Sequence, residues 1–123
     1  MMMWQGIDQR KFPRVNYKCL IRLTKGEQEE VIDTFTENIG EGGICVALDK
    51  GFELFDTVSL EVYLSEGDKP ILCSGTIVWV VKRHPASKAE QIKYDTGIEF
   101  IDIPDDDRGR VSRLVDEIMQ SEA

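Results

Sequence analysis

An all-β domain with a single helix at its C-terminal end is the fold class this chain predicts, on three observations. Apolar residues recur with period two in five stretches and a sixth is rich in β-branched and aromatic residues, turn residues separate these stretches, and only the end of the chain changes to the period of a helix. Six short strands at turn-bounded intervals make a barrel or a sandwich.

The elements follow in order. Val15, Tyr17, Cys19, Ile21 and Leu23 alternate with Asn16, Lys18 and Arg22, the pattern of one half-buried strand, and Lys25-Gly26 turns the chain. Val31 to Thr36, rich in β-branched and aromatic residues, is a second strand that closes at Glu37-Asn38. Ile44, Val46 and Leu48 mark a third, and Asp49-Lys50-Gly51 a turn. Val58, Leu60, Val62 and Leu64 form the fourth, before a polar connection from Ser65 to Lys69. Ile71, Cys73, Gly75, Ile77, Trp79 and Val81 share one parity over a long fifth strand, and Gly75 is where a barrel strand can bend. Lys82 to Gln91 is a charged loop containing the lone His84, and Tyr94, Thr96, Ile98 and Phe100 alternate in a sixth strand. Val111, Leu114, Val115, Ile118 and Met119 then fall on one helical face. Pro104 and Asp105 to Asp107 supply its start, because carboxylates favour the positive end of the helix dipole; a helix start explains the three carboxylates better than a metal site does. Gly109 costs this helix about 1 kcal/mol relative to Ala.

At 123 residues the chain holds one domain with a real core. No apolar run approaches the roughly 18 residues of a membrane span, and Met1 to Gln9 lacks the basic and apolar regions of a signal peptide, so a cytoplasmic location is expected. Cys19, Cys45 and Cys73 are widely spaced within apolar runs and read as buried thiols rather than as zinc ligands or disulfides. No spacing singles out a nucleophile with a base or a carboxylate pair in a pocket, so binding, not catalysis, is the expected class, with no resident cofactor and no metal. The net charge of -8 disfavours a nucleic-acid polymer as partner. The charge is uneven, however: Gln9 to Gly26 contains six basic residues and no acidic one, and a locally positive pole on an acidic body suits a small anion.

Two clusters refine that reading. Arg10-Lys11-Phe12-Pro13-Arg14 offers two guanidinium forks, four residues apart, on a segment that Pro13 keeps out of helix. Asn38-Ile39-Gly40-Glu41-Gly42-Gly43 reads as a turn of exposed backbone amides after the second strand. Without further context the first is a solvated basic turn and the second a hairpin connection; no Lys-Ser/Thr follows the glycines, so they are not a Walker phosphate loop. Their order and separation resemble the signature of the PilZ domain family, Arg-x-x-x-Arg before a first strand and Asp/Asn-x-Ser-x-x-Gly after the second. The resemblance continues through Gly75-Thr76-Ile77-Val78-Trp79 and Gly97-Ile98-Glu99-Phe100 to the amphipathic end segment, and so covers nearly all of the chain. Gly40 stands where the family usually has Ser.

The resemblance implies a six-stranded antiparallel Greek-key β-barrel with a C-terminal α-helix, and cyclic di-GMP, a bacterial second messenger, as the ligand. The implied division is a flexible arm over residues 1–14, a barrel over 15–103 and a helix over 104–121 packed on the barrel. Arg10 and Arg14 are the implied anchors, since an arginine can bond a phosphate through two parallel donors, reach O6 and N7 of a guanine edge, or stack on the base. Lysine would keep the charge but lose the fork. Asn38 offers an acceptor and a donor to a guanine edge. Gly42 and Gly43 permit positive φ and close backbone approach. Gly40 removes one hydroxyl donor, about 0.5–1.5 kcal/mol, or roughly 2- to 13-fold in affinity. Trp79 shares the parity of Ile77 and Val81, which favours the core, and as the alternative stacks on a guanine; Trp4 sits on the arm. The ligand would clamp the arm onto the barrel and create a surface for an unidentified effector protein in motility, biofilm or polysaccharide output. Two alternatives stand beside this reading: a ligand-independent PilZ-like adaptor, for which Gly40 is the hint, and a small barrel binding single-stranded nucleic acid through its basic strand.

Overall fold

Alternating apolar residues become the inner face of a closed barrel in the computed structural model, which describes residues 13–26, 30–85, 87 and 91–121. The described elements are β1 (Arg14–Asn16), β2 (Leu20–Lys25), β3 (Glu30–Gly40), β4 (Gly43–Leu48), β5 (Thr57–Tyr63), β6 (Ile71–Arg83), β7 (Lys93–Phe100) and α1 (Asp105–Ser121). Strands β2, β3 and β4 form an antiparallel meander, and β5 returns to pair with β2, which is the Greek-key order. Strands β5, β6 and β7 then run as a second meander, and β7 pairs with β4. Closure leaves no free edge within the ring of six. The expected Greek-key barrel with its C-terminal helix is therefore the observed architecture.

The first expected strand is broken in two. β1 lies outside the ring and continues along the edge of β3 that β2 occupies, with Tyr17 to Cys19 between them. Thr36 holds the break: its hydroxyl donates to the Tyr17 carbonyl at 2.6 Å and accepts from the Cys19 amide at 3.0 Å, while its own amide donates to the Cys19 carbonyl at 2.9 Å. A side chain so replaces one rung of the ladder, and the inward parity of Val15, Cys19, Ile21 and Leu23 survives the interruption.

Ile21, Leu23, Ile39, Ile44, Val46, Val62, Ile71, Ile77 and Ile98 are wholly buried and fill the barrel. The helix closes the core through Val111 and Val115, with Leu114 and Ile118 packed beside them, and lies against β1 and β3. Met119 is 47% exposed, so the apolar stripe is narrower than its spacing predicts. Asp105, Asp106 and Asp107 occupy the first helical turn, the favourable end for negative charge. No helix among the described residues is long and apolar enough to cross a membrane.

β6 departs from its expected parity. Ile77 pairs with Ile98 and Trp79 with Gly97, so Val78 is an extra residue and every side chain beyond it changes face. Val81, expected inside, is 54% exposed, and Val80 packs on the core instead. A Cβ on Gly75 would lie 2.5 Å from Ile98 Cγ2 and 3.1 Å from Leu60 Cδ1, so the glycine makes room for two core side chains. Cys19 and Cys45 are buried as expected, whereas Cys73 is half-buried.

Candidate functional site

The strand registers place most of the sequence-selected residues on one outer face. Asn16 pairs with Asn38, Asn38 with Cys45, Cys45 with Gly97, and Gly97 with Trp79, a continuous row across β1, β3, β4, β7 and β6. The adjacent row runs from Arg14 to Gly40, Gly43, Glu99 and Thr76. Their inward neighbours, Val15, Ile39, Ile44 and Ile98, are buried in the core, so alternation turns both rows outward. Arg14, Asn38, Gly40, Gly43 and Trp79 therefore share one patch. Arg10, Lys11 and Trp4 lie outside the described residues.

Arg14 is the first residue of β1, and its charge reaches the Cys45 thiol two strands away. Asn38 contributes an acceptor with an open lone pair: its Oδ1 is shielded from solvent and accepts no hydrogen bond from any described residue. Such an atom is costly to bury unless a donor reaches it. The turn does not use the conformational freedom expected of it. Positive φ occurs among the described glycines at Gly26 and Gly67, not at Gly42 or Gly43. Gly40 and Gly43 are paired and buried rather than a run of exposed amides, and the Gly42 carbonyl accepts from the Phe100 amide at 2.9 Å. Gly43 is needed for space, since a Cβ there would fall inside 3.0 Å of the Ile98 carbonyl oxygen.

Trp79 lies half-buried on the outer face, across Gly97 and away from the core cluster that its parity favoured. A Cβ on Gly97 would come within 3.0 Å of indole Nε1, Cε2 and Cδ1, the last at 2.7 Å. The indole thus packs against the backbone of β7 at Gly97. Gly97 was noticed in the sequence only as part of a motif; its role as the bed of the indole had no local signal.

Four further residues complete the patch. Glu37 is the extra residue where β3 shifts register against β4, and its carboxylate accepts from the Cys45 thiol at 3.5 Å. Arg83 binds both Glu37, at 3.4 Å, and Asp95, at 2.6 Å. Burial, followed by the neighbouring Asp95, raises the Glu37 carboxyl above its ordinary pKa. Burial also pushes the Cys45 thiol up to about 12, with the Glu37 charge adding to the shift. Cys45 was legible in one respect, since it falls on the opposite parity to Ile44, Val46 and Leu48 and so faces outward.

The remaining basic residues of the first strand do not make a second positive face. Arg22 pairs with Asp33 at 2.8 Å, Lys25 with Asp56 at 3.1 Å, and Lys18 sits 4.9 Å from the centre of the Phe35 ring. Their charge is spent locally.

The sequence profile of the PilZ domain matches residues 8–117. The chain belongs to the PilZ domain family. A search of curated protein sequences returned no match. Among solved structures the PilZ fold recurs in MotI/DgrA, the inhibitor of motility of Bacillus subtilis, with a TM-score of 0.77 and 21% identity over 95% of this chain and 54% of that one. The PilZ domain of YcgR from Escherichia coli, solved with cyclic di-GMP, gives 0.73 and 10% over 94% of this chain and 95% of that domain. The K. pneumonia MrkH complex with cyclic di-GMP gives 0.74 and 16% over 94% and 55%. The chain spans about half the length of MotI/DgrA and MrkH. At these identities the likeness is one of PilZ fold.

Proposed function

We propose that this PilZ domain is a cytoplasmic receptor for cyclic di-GMP, bound on the outer face of the barrel by Arg14 and Arg10 of the arm together with Asn38, the Gly40 to Gly43 turn and Trp79. The observation that carries the reading is the convergence of Arg14, the open acceptor of Asn38 and the outward indole of Trp79 on adjoining rows of one sheet face. The complexes of the YcgR PilZ domain and of MrkH with cyclic di-GMP support the choice of ligand.

Each group meets a different demand of the ligand. Cyclic di-GMP carries two phosphates, which call for bidentate cationic donors, and two guanines, which call for edge readers and flat faces. Arg14 supplies a fork at the edge of β1. Arg10 lies four residues earlier, a span of about 13 Å in extended chain, enough to reach a second phosphate or base. Asn38 Oδ1 accepts from the N1 or N2 donors of guanine, and Trp79 offers a stacking surface. None of these groups is a nucleophile or a poised base, so the role is binding. The ligand fixes the arm on the barrel and becomes part of the surface that an effector protein in motility, biofilm or polysaccharide output recognises.

Calorimetric titration tests the proposal. Wild type should bind cyclic di-GMP and not cyclic di-AMP or GTP, and Arg14→Ala should weaken binding by about 10- to 150-fold, the value of about 1.5–3 kcal/mol for hydrogen bonds to a charged group. No heat with cyclic di-GMP, or undiminished binding by Arg14→Ala, would refute it.

A further inference from the structure

We propose that Gly40 is a positioning residue, whose missing side chain forms the seat on which Pro13 and Arg14 pack against β3. The seat itself is a property of the ligand-free protein; its effect on affinity rests on the receptor reading above.

The geometry is specific. A Cβ on Gly40 would fall inside 3.0 Å of the Pro13 carbonyl oxygen, 3.3 Å from the Pro13 carbonyl carbon and 3.0 Å from Arg14 Cγ. Two of these three atoms are backbone, which cannot swing aside as a flexible side chain would. They belong to a proline, whose ring fixes φ and limits local adjustment. Gly40 is buried and does not adopt positive φ, so its backbone angles are open to any residue. What glycine supplies here is room. Across the hairpin, Gly43 is closed off by a different wall, the Ile98 carbonyl, so the two glycines serve separate approaches, one to the arm and one to β7.

The consequence reverses the expectation drawn from the sequence. Read as a string, the motif makes glycine in place of the usual Ser a lost donor. In this chain a hydroxymethyl at residue 40 has no space while Pro13 and Arg14 hold their places in and beside β1. Restoring Ser therefore displaces Pro13 and Arg14 before it can add a hydrogen bond. Glycine keeps Arg14 paired opposite residue 40, so part of the ordering that ligand binding would otherwise demand is already complete.

Hydrogen exchange on the ligand-free full chain, combined with titration of cyclic di-GMP, tests this with Gly40→Ala and Gly40→Ser. Both variants should speed exchange at residues 14–16 by about tenfold or more while leaving Ile77 and Ile98 unchanged, as a local opening requires. Both should also bind cyclic di-GMP about tenfold or more weakly, the scale of a single overpacked methyl group. Unchanged exchange in β1, or Gly40→Ser binding as tightly as wild type, would overturn the seat. Faster exchange at Ile77 and Ile98 as well would place Gly40 in barrel stability and overturn it too. If wild type itself fails to bind, the receptor reading falls, and the exchange comparison alone still decides the seat.

Discussion

Substituting Gly97 by Ala tests the packing of the Trp79 indole on β7. The added methyl group would sit 2.7 Å from Cδ1 and closer still to Nε1 and Cε2. Ordinary carbon contacts are about 3.5–4.0 Å, so the ring must retreat by about 1 Å or more, or change rotamer. Overpacking of this kind costs about 1–3 kcal/mol, and Trp79, being half-buried, can yield outward, which places the cost toward the lower end. For a domain of this size the drop in Tm is about 4 °C per kcal/mol. The decisive comparison repeats Gly97→Ala on a Trp79→Ala background. With the ring gone, the methyl group meets no indole, and Gly→Ala becomes neutral or stabilising by about 0.4–1 kcal/mol through the unfolded chain. The two backgrounds should therefore differ in sign, with a coupling of at least about 1 kcal/mol, as expected for residues in contact. Thermal and urea unfolding of the four proteins measures it. Equal destabilisation by Gly97→Ala in both backgrounds would refute the packing of the indole on β7.

Thr36→Val keeps shape but removes the hydroxyl that bridges Tyr17 and Cys19; it should cost about 1–3 kcal/mol, read by urea unfolding, because a buried amide and carbonyl lose their partner. Cys45 should resist iodoacetamide at pH 8 in the native protein and react after unfolding, since burial pushes its thiol up to about 12. The same shift is a stability statement: the neutral thiol favours the folded state fully below the unfolded value near 9, and that contribution disappears as pH rises toward about 12, so Cys45→Ala should flatten the alkaline fall in Tm. Glu37 has its folded pKa raised, so its contribution is present in acid and lost as pH rises through the folded value; Glu37→Gln should raise Tm more at pH 7 than at pH 4.

Much of the barrel was legible because its strands carry the alternation that burial on one face demands. The break at Tyr17 to Cys19 was not, since the odd-numbered apolar residues keep their parity straight through it and the compensating group, Thr36, sits on another strand. The register shift in β6 was hidden for the opposite reason. Ile77 to Val81 are five consecutive apolar residues, and a run without alternation cannot show where one residue is inserted. That single insertion decides whether Trp79 faces the core or the outer surface. Arg14, Asn38, Gly40 and Gly43 were found as a motif, but the reasons for the glycines came from atoms distant in sequence: Pro13 for one, Ile98 for the other.

The three residues of β1 join the site to the rest of the molecule by alternation alone. Arg14 and Asn16 face outward, in register with Gly40 and Asn38, while Val15 between them is buried in the same cluster as Val111 and Val115 of the helix. A strand of this length cannot lift Arg14 from the barrel and leave Val15 behind, because adjacent residues share one backbone and one ladder with β3. Lifting β1 from β3 would therefore uncover apolar surface beneath α1, and re-pairing would bury it again. Any ligand that holds Arg14 down also holds Val15 down, so occupancy of the outer face should protect the amides of α1 from exchange even though the helix contributes no residue to the site. Val15→Ala, which keeps every outward group, is the change that should uncouple that protection from the ligand.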